Sequence, residues 1–161
     1  IPLYIGGFAE KALERVAKYG DGYFGDPRSS DIYREKLRSA GKDPDSARIR
    51  IPDLFTAVAK NPAEALDELA PYFHHVNNSY AEWNHEDKTA DQDGPELALM
   101  SLEEYKASKA LNIITPGEAI DKYKAMKAKI PLEHVMMSLP AGMPPEKFRK
   151  YDERYWKPFF A

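Results

Sequence analysis

The chain has 161 residues, 43% hydrophobic, 12% aromatic and 30% charged, a composition that buries one core of ordinary domain size and excludes wholesale disorder. A formal net charge of −3, with no long Lys/Arg block, argues against neutralising the phosphates of a nucleic acid. Cysteine is absent, which removes disulfides, thiolate catalysis and Cys-based metal sites; with no apolar run of about 18 residues and no basic-then-apolar leader, the expectation is a cytoplasmic protein with neither nucleic-acid nor membrane partners.

The first element is "IPLYIGG", a short apolar strand that ends in Gly6 and Gly7. Behind it, residues 8–19 place Ala9, Ala12, Leu13, Val16 and Ala17 on one helical stripe, and Gly20 stands where a C-terminal cap belongs. "DGYFG" reads as a second, buried strand; Ser29, Ser30 and Asp31 then offer N-caps to a helix carrying Tyr33, Leu37 and Ala40, closed by Gly41. "RIRIPDLFTAV" is a third strand, bent or ended in part by Pro52. Asn61-Pro62-Ala63-Glu64 supplies cap, first-turn proline and reaching carboxylate for a helix with Leu66, Leu69, Ala70 and Phe73 inward, which Pro71 should kink.

From Asn77 to Met100 the sequence turns polar, too long a stretch for an ordinary connection, and reads as an insertion or lid (77–100) with a disordered middle around His85 to Pro95. Two capping boxes follow, Ser101 with Glu104 and Thr115 with Glu118, each opening a helix. "EHVMMSL" is the fourth strand, and the helix from about Pro145 to Tyr155 sets Phe148, Tyr151 and Tyr155 on one side.

Strands alternating with helices imply parallel pairing and right-handed crossovers. An open α/β sheet and half of an eight-stranded β/α barrel both satisfy this pattern. A strand that starts at residue 1 without a preceding element favours the second, a cut through a larger chain: the expected fold is α/β, the C-terminal half of a (β/α)8 TIM barrel, with residues 1–161 forming one partial-barrel domain.

The segments "IPLYIGG", "ALERVAKYGDGYFG", "SARIRIPDLFTAVAKNPAEAL", "NIITPGEAIDKYKAM" and "EHVMMSLPAGMPPEKF", in that order, resemble the C-terminal half of the bacterial luciferase-like monooxygenase family. The resemblance implies a β/α barrel that binds FMN or, alternatively, a deazaflavin coenzyme, acting as a monooxygenase or oxidoreductase on a small organic substrate. It also implies that strands one to four are missing, so the partner would be an N-terminal half-barrel or a homo-oligomer. A noncatalytic flavin-binding or assembly protein built on the same half-barrel, and an unrelated open-sheet α/β domain, are the alternatives.

Candidate site residues gather in two loops. Gly6 and Gly7, between a strand and a helix, can expose backbone N–H groups at the positive end of a helix dipole, which suits a phosphate; the residues alone favour the simpler reading, a tight turn intolerant of side chains. The resemblance favours cofactor binding, since the family holds its cofactor phosphate near this turn. In "GDPRSSD", which begins at Gly25, Arg28, Ser29 and Ser30 can give charged and hydroxyl donors to the same phosphate, whereas Asp26 would repel it unless it points away or pairs with Arg28; a capped surface loop fits the segment as well. Tyr80 and Trp83, at the edge of the insertion, are candidates for a substrate pocket or for half-buried anchors of the loop. His74 and His75 diverge by about 100° on a helix, His85 lies in no HExxH pattern, and His134 begins a strand at the end away from the loops. No metal site and no catalytic acid or base is assigned. The terminal aromatics Tyr151, Tyr155, Trp156, Phe159 and Phe160 read as wall packing or subunit contact.

Overall fold

The computed structural model describes residues 1–86, 97–137 and 140–151. In chain order its elements are β1 (Tyr4–Gly6), α1 (Glu10–Tyr19), β2 (Gly22–Phe24), α2 (Ser30–Ser39), β3 (Ile49–Asp53), β4 (Thr56–Val58), α3 (Pro62–Glu86), α4 (Leu102–Ser108), β5 (Asn112–Ile114), α5 (Pro116–Lys127), β6 (Leu132–Met137) and α6 (Pro145–Tyr151). The chain divides into two compact units, Ile1–Asp53 with Tyr123–Met136, and Leu54–Lys122 with Met137–Ala161.

The first unit is built on a four-stranded sheet of order β1-β2-β3-β6, in which β1 pairs parallel with β2 and β2 with β3. Successive strand residues face opposite sides of a sheet. Tyr23, Ile49 and Ile51 therefore turn one way, into a core with Leu13, Val16 and Ala17 of α1 and Tyr33 and Leu37 of α2. These side chains are 3% exposed or less, and each large one contributes about 1.5–3 kcal/mol by leaving water. Across the outer surface of the two helices, Lys36 bridges Glu10 at 2.6 Å and Glu14 at 2.8 Å; hydrogen bonds to those carboxylates raise its pKa to about 12. The Tyr123 hydroxyl donates to Asp53 at 2.9 Å, tying α5 to the end of β3.

The second unit holds a two-stranded parallel sheet, β4-β5, and a core of Ala57, Leu69, Ala70, Phe73, Tyr105, Leu111 and Tyr151 among others. Here the sequence-based expectation needs correction. "RIRIPDLFTAV" is two strands in two sheets, separated at Leu54 and Phe55, because Pro52 cannot donate to a ladder and the strand ends one residue later. β5 went unread: three residues ahead of a capping box carry too little periodicity to show. Their partner is β4, fixed by Asn112 N–H donating to the Phe55 carbonyl at 2.8 Å.

The polar stretch from Asn77 also differs from expectation, since residues 77–86 continue α3, which runs through Pro71. Asn77, only 2% exposed, donates from Nδ2 to the Ala98 carbonyl at 3.0 Å, and Asn78 donates to the Met100 carbonyl at 2.8 Å. His74 Nε2 lies 2.7 Å from that same carbonyl and 3.0 Å from Asn78 Nδ2. Amides that read as loop formers thus satisfy the irregular backbone of residues 97–100 against the helix. The expected disordered middle lies outside the described residues apart from His85 and Glu86, as do Tyr155, Trp156, Phe159, Phe160 and the side chain of Phe148. No described helix is long and apolar enough to cross a membrane.

Tyr105 is fully buried beside the His74 ring, centroids 5.7 Å apart, and its hydroxyl has no hydrogen-bond partner among the described residues. Burial raises its pKa to about 12. Tyr105→Phe is expected to hold or raise stability by about 1 kcal/mol, because it deletes an unsatisfied polar group and leaves the ring. Leu69→Ala in the same core should cost about 2–5 kcal/mol. Urea denaturation of the two variants beside the parent checks the contrast.

Candidate functional site

The loops that follow β1 and β2 meet through one buried side chain. Tyr23, with no measurable exposure, has its ring 5.8 Å from that of Tyr33, and its hydroxyl donates to the Gly7 carbonyl at 2.9 Å. The same oxygen accepts the Asp26 N–H at 3.0 Å. One phenol therefore spans the chain ends of two adjacent parallel strands. Both neighbouring glycines are required by that arrangement. Gly7 has φ +142, and a Cβ there would lie 2.5 Å from the Ala12 Cβ; a Cβ on Gly25 would lie 2.2 Å from the Tyr23 hydroxyl oxygen.

Asp26 opens a 3₁₀ turn, Pro27–Ser29, by accepting the Arg28 N–H at 2.8 Å. Its carboxylate also takes Arg28 Nε at 3.0 and 2.8 Å on its two oxygens, and Nη2 at 2.6 Å. Of the two possibilities raised for Asp26, the structure takes the pairing with Arg28. The Arg28 side chain is 90% exposed and that of Asp26 19%, so the rest of the guanidinium faces solvent. The Arg28 hydrogen bonds hold the Asp26 carboxyl below its ordinary value of 3.8, against the opposing effect of burial.

The 3₁₀ turn runs directly into α2, with Ser29 at the N-cap position but making no side-chain cap bond, and Ser30 as the first helical residue, buried. The expected capping by Ser29, Ser30 or Asp31 is thus not used. Asp26 has taken the role one turn earlier. α1 likewise starts after Ala9 with no side-chain cap. The contrast with α4 and α5 is sharp. Ser101 and Glu104 form a complete capping box, and Thr115 and Glu118 exchange the same bonds. α1 thus starts with no side-chain cap, whereas the start of α2 is closed by the 3₁₀ turn, in which Asp26 accepts the Arg28 N–H and the Asp26 and Pro27 carbonyls accept the N–H groups of Ser29 and Ser30.

Tyr80 and Trp83 lie on α3 of the second unit, not on a loop. Their rings meet edge to face at 5.3 Å, and they are 46% and 59% exposed, more open than half-buried anchors would be. His75, His85 and His134 are exposed. Among the described residues no three His, Asp or Glu side chains converge as metal ligands do.

Sequence reasoning missed two features. One is Tyr23, which looks like any core aromatic until its hydroxyl is placed. The other is a charged cluster on the sheet face opposite the helices. The Tyr4 hydroxyl and Arg48 Nε both donate to Glu133, Arg50 Nε reaches it at 3.4 Å, and the Arg50 guanidinium lies 3.7 Å from the Tyr4 ring centroid. The strict alternation Arg48-Ile49-Arg50-Ile51 was its signal. Burial alone would raise the Glu133 carboxyl, but hydrogen bonds from Tyr4 and Arg48 hold it lower on balance.

Parallel strands alternating with helices, with glycine loops at the carboxyl ends of β1 and β2, define a β/α class in which sites sit on such loops. The chain belongs to the luciferase-like monooxygenase family, whose profile matches residues 1–133. It is similar in fold to the coenzyme F420 dependent tetrahydromethanopterin reductase from Methanopyrus kandleri, at 18% identity and TM-score 0.56, over 100% of this chain and 51% of that one. A long-chain alkane monooxygenase matches at 17% identity and TM-score 0.60, over 93% of this chain and 38% of its own. Riboflavin lyase, solved with modified FMN and riboflavin, matches at 15% identity and TM-score 0.59, over 98% and 42%. The chain spans about half the length of these proteins or less. A search of the curated proteins found no match.

Tyr23→Phe is expected to cost about 1–3 kcal/mol, because the Gly7 carbonyl and the Asp26 N–H lose their common partner; hydrogen exchange at Asp26 should rise with it. The Asp26–Arg28 pair has a depressed carboxyl pKa in the folded state, so its contribution to stability is present above 3.8 and is lost as pH falls through the lower folded value. An NMR titration should find the Arg28 Nε–H signal unchanged from pH 8 to about 5 and shifting only in stronger acid.

Proposed function

We propose that this chain is the C-terminal half of a (β/α)8 barrel in an oxidoreductase or monooxygenase of this family, and that the loops after β1 and β2 hold the phosphate of its cofactor. The cofactor is FMN, with a deazaflavin coenzyme as the alternative; the neighbours include one protein described by coenzyme F420 and one solved with modified FMN. The observation that carries the reading is the junction of the two glycine loops at the Tyr23 hydroxyl, beside the start of α1, which has no side-chain cap.

The residues present fit a phosphate group. Gly6 and Gly7 put no side chain between the loop and a ligand, Ser29 stands at the start of α2 with its side chain making no cap bond, Ser30 is buried behind it, and Arg28 offers a solvent-facing guanidinium edge suited to a charge-assisted contact. Gly25 keeps the Tyr23 hydroxyl in place beneath them. A bound flavin or deazaflavin would supply the hydride-transfer or oxygen-activating chemistry. The chain's own contribution here is to anchor the cofactor's tail and so fix the position of its ring. Tyr80 and Trp83, an exposed aromatic pair, are proposed as part of the surface that meets a small organic substrate. The intact assembly would work in the cytoplasm, completed by an N-terminal half-barrel or by oligomerisation.

Titration with FMN and with riboflavin, in the assembly the chain forms when purified, tests the reading. FMN should bind at least about tenfold more tightly than riboflavin, the worth of one charge-assisted hydrogen bond. Arg28→Ala should remove most of that difference. Asp26→Asn keeps a side chain able to cap the 3₁₀ turn and removes the competing negative charge, so it should tighten FMN binding and leave riboflavin unchanged. Equal affinities for the two flavins in the parent, insensitive to both substitutions, would refute the phosphate assignment.

A further inference from the structure

The Tyr23 hydroxyl orients two peptide groups, one in each glycine loop. Its proton goes to the Gly7 carbonyl at 2.9 Å and its oxygen accepts the Asp26 N–H at 3.0 Å, while burial fixes the ring against Tyr33. No described peptide bond is cis, and in a trans peptide the carbonyl and the N–H that follows it point in opposite directions. The Gly7 carbonyl turns inward to a buried hydroxyl, so the Phe8 N–H turns outward. Phe8 is 51% exposed, and its N–H has no hydrogen-bond partner among the described residues. The peptide between Gly25 and Asp26 is set the other way round. Its N–H is taken by the Tyr23 hydroxyl, so the Gly25 carbonyl turns toward β3. Tyr23 and Gly25 donate their N–H groups to the Arg48 and Arg50 carbonyls, and the donor due next on that ladder is Pro52, which has none. The two loops therefore differ in polarity at this level: the one after β1 aims an N–H outward, and the one after β2 does not.

We propose that the Phe8 N–H is the backbone donor to the cofactor phosphate and that Tyr23 is the positioning residue that aims it. The proposal rests on the phosphate reading above. A dipole stabilises an anion most when its direction is set before the anion arrives, because no reorganisation is then needed on binding. Two features set it here. Gly7 has φ +142, a conformation that residues with side chains rarely adopt, and the Tyr23 hydroxyl holds the carbonyl of the peptide that follows. α1 begins directly behind Phe8 with no side-chain cap, so no capping oxygen competes for the same place. Without the hydroxyl, the Gly7 carbonyl is free to turn to water and the Phe8 N–H loses its direction. Arg28 on the other loop supplies charge; Phe8 supplies the directed donor.

Gly7–Phe8 is the single Gly-Phe step in the sequence, so glycine labelled at the carbonyl carbon together with phenylalanine labelled at the amide nitrogen isolates the Phe8 amide in an NMR spectrum of the full chain, in the assembly it forms when purified. That amide proton should move downfield with FMN and stay in place with riboflavin, which lacks the phosphate. Tyr23→Phe, shown to be folded by circular dichroism, should lower the ratio of FMN affinity to riboflavin affinity about threefold, the worth of one neutral hydrogen bond. Loosening of the loops alone would weaken both flavins together and leave the ratio where it was. If the parent binds the two flavins equally, the phosphate reading fails and this inference falls with it. If the parent prefers FMN while the Phe8 amide stays in place, the phosphate reading stands and Phe8 is not its donor, a result that needs no variant. An amide that moves equally with both flavins, or a folded Tyr23→Phe protein that keeps the parent's ratio, also overturns the inference.

Discussion

Strand alternation along β3 is the constraint on which the first unit depends. Ile49 and Ile51 enter the core with Tyr23 and the apolar stripes of α1 and α2, and the backbone then has no choice about Arg48 and Arg50, which emerge on the other face beside Tyr4 and Glu133. A slip of one residue would exchange these sets. It would bury two guanidinium groups among aliphatic side chains and expose two isoleucines, a change far larger than any turn preference could offset. The register of the sheet, the position of its charged face and the height at which its loops emerge all follow from that one alternation.

Tyr23 connects this core to the candidate site. Its ring belongs to the packed interior, and its hydroxyl reaches the Gly7 carbonyl and the Asp26 N–H. Local rules are broken around it and compensated in place: a positive φ at Gly7, a missing side chain at Gly25 and a cap for α2 supplied by Asp26 through a 3₁₀ turn rather than at the helix start itself. Such departures are expected where a loop serves something other than its own stability. The capping boxes of α4 and α5 show that this chain caps helices fully elsewhere. The uncapped start of α1 is therefore a local property of that edge.

The second unit solves a different problem. A long helix must hold an irregular returning segment, and it does so with Asn77, Asn78 and His74, whose polar atoms meet the carbonyls of Ala98 and Met100. Polar residues on a helix face are thereby used as backbone partners. Tyr80 and Trp83 stand further along the same helix, presented to solvent on a rigid element.

The sequence by itself determined the alternation of strands and helices, the apolar stripes of α1, α2 and the start of α3, both capping boxes and the glycine loops, because each is written in neighbours a few residues apart. The family was legible for the same reason, in the order of its segments. Tertiary structure alone decided that "RIRIPDLFTAV" serves two sheets, that Asn112 to Ile114 is a strand, and that the polar run after Asn77 stays helical, since each depends on a partner that local sequence does not contain: β5 for β4, and the carbonyls of residues 98 and 100 for the α3 amides. It also decided the chemistry of the candidate site. Asp26 read as an obstacle to an anion, and only the fold, by bringing its carboxylate onto Arg28 and its N–H onto the Tyr23 hydroxyl, made it part of the loop's support.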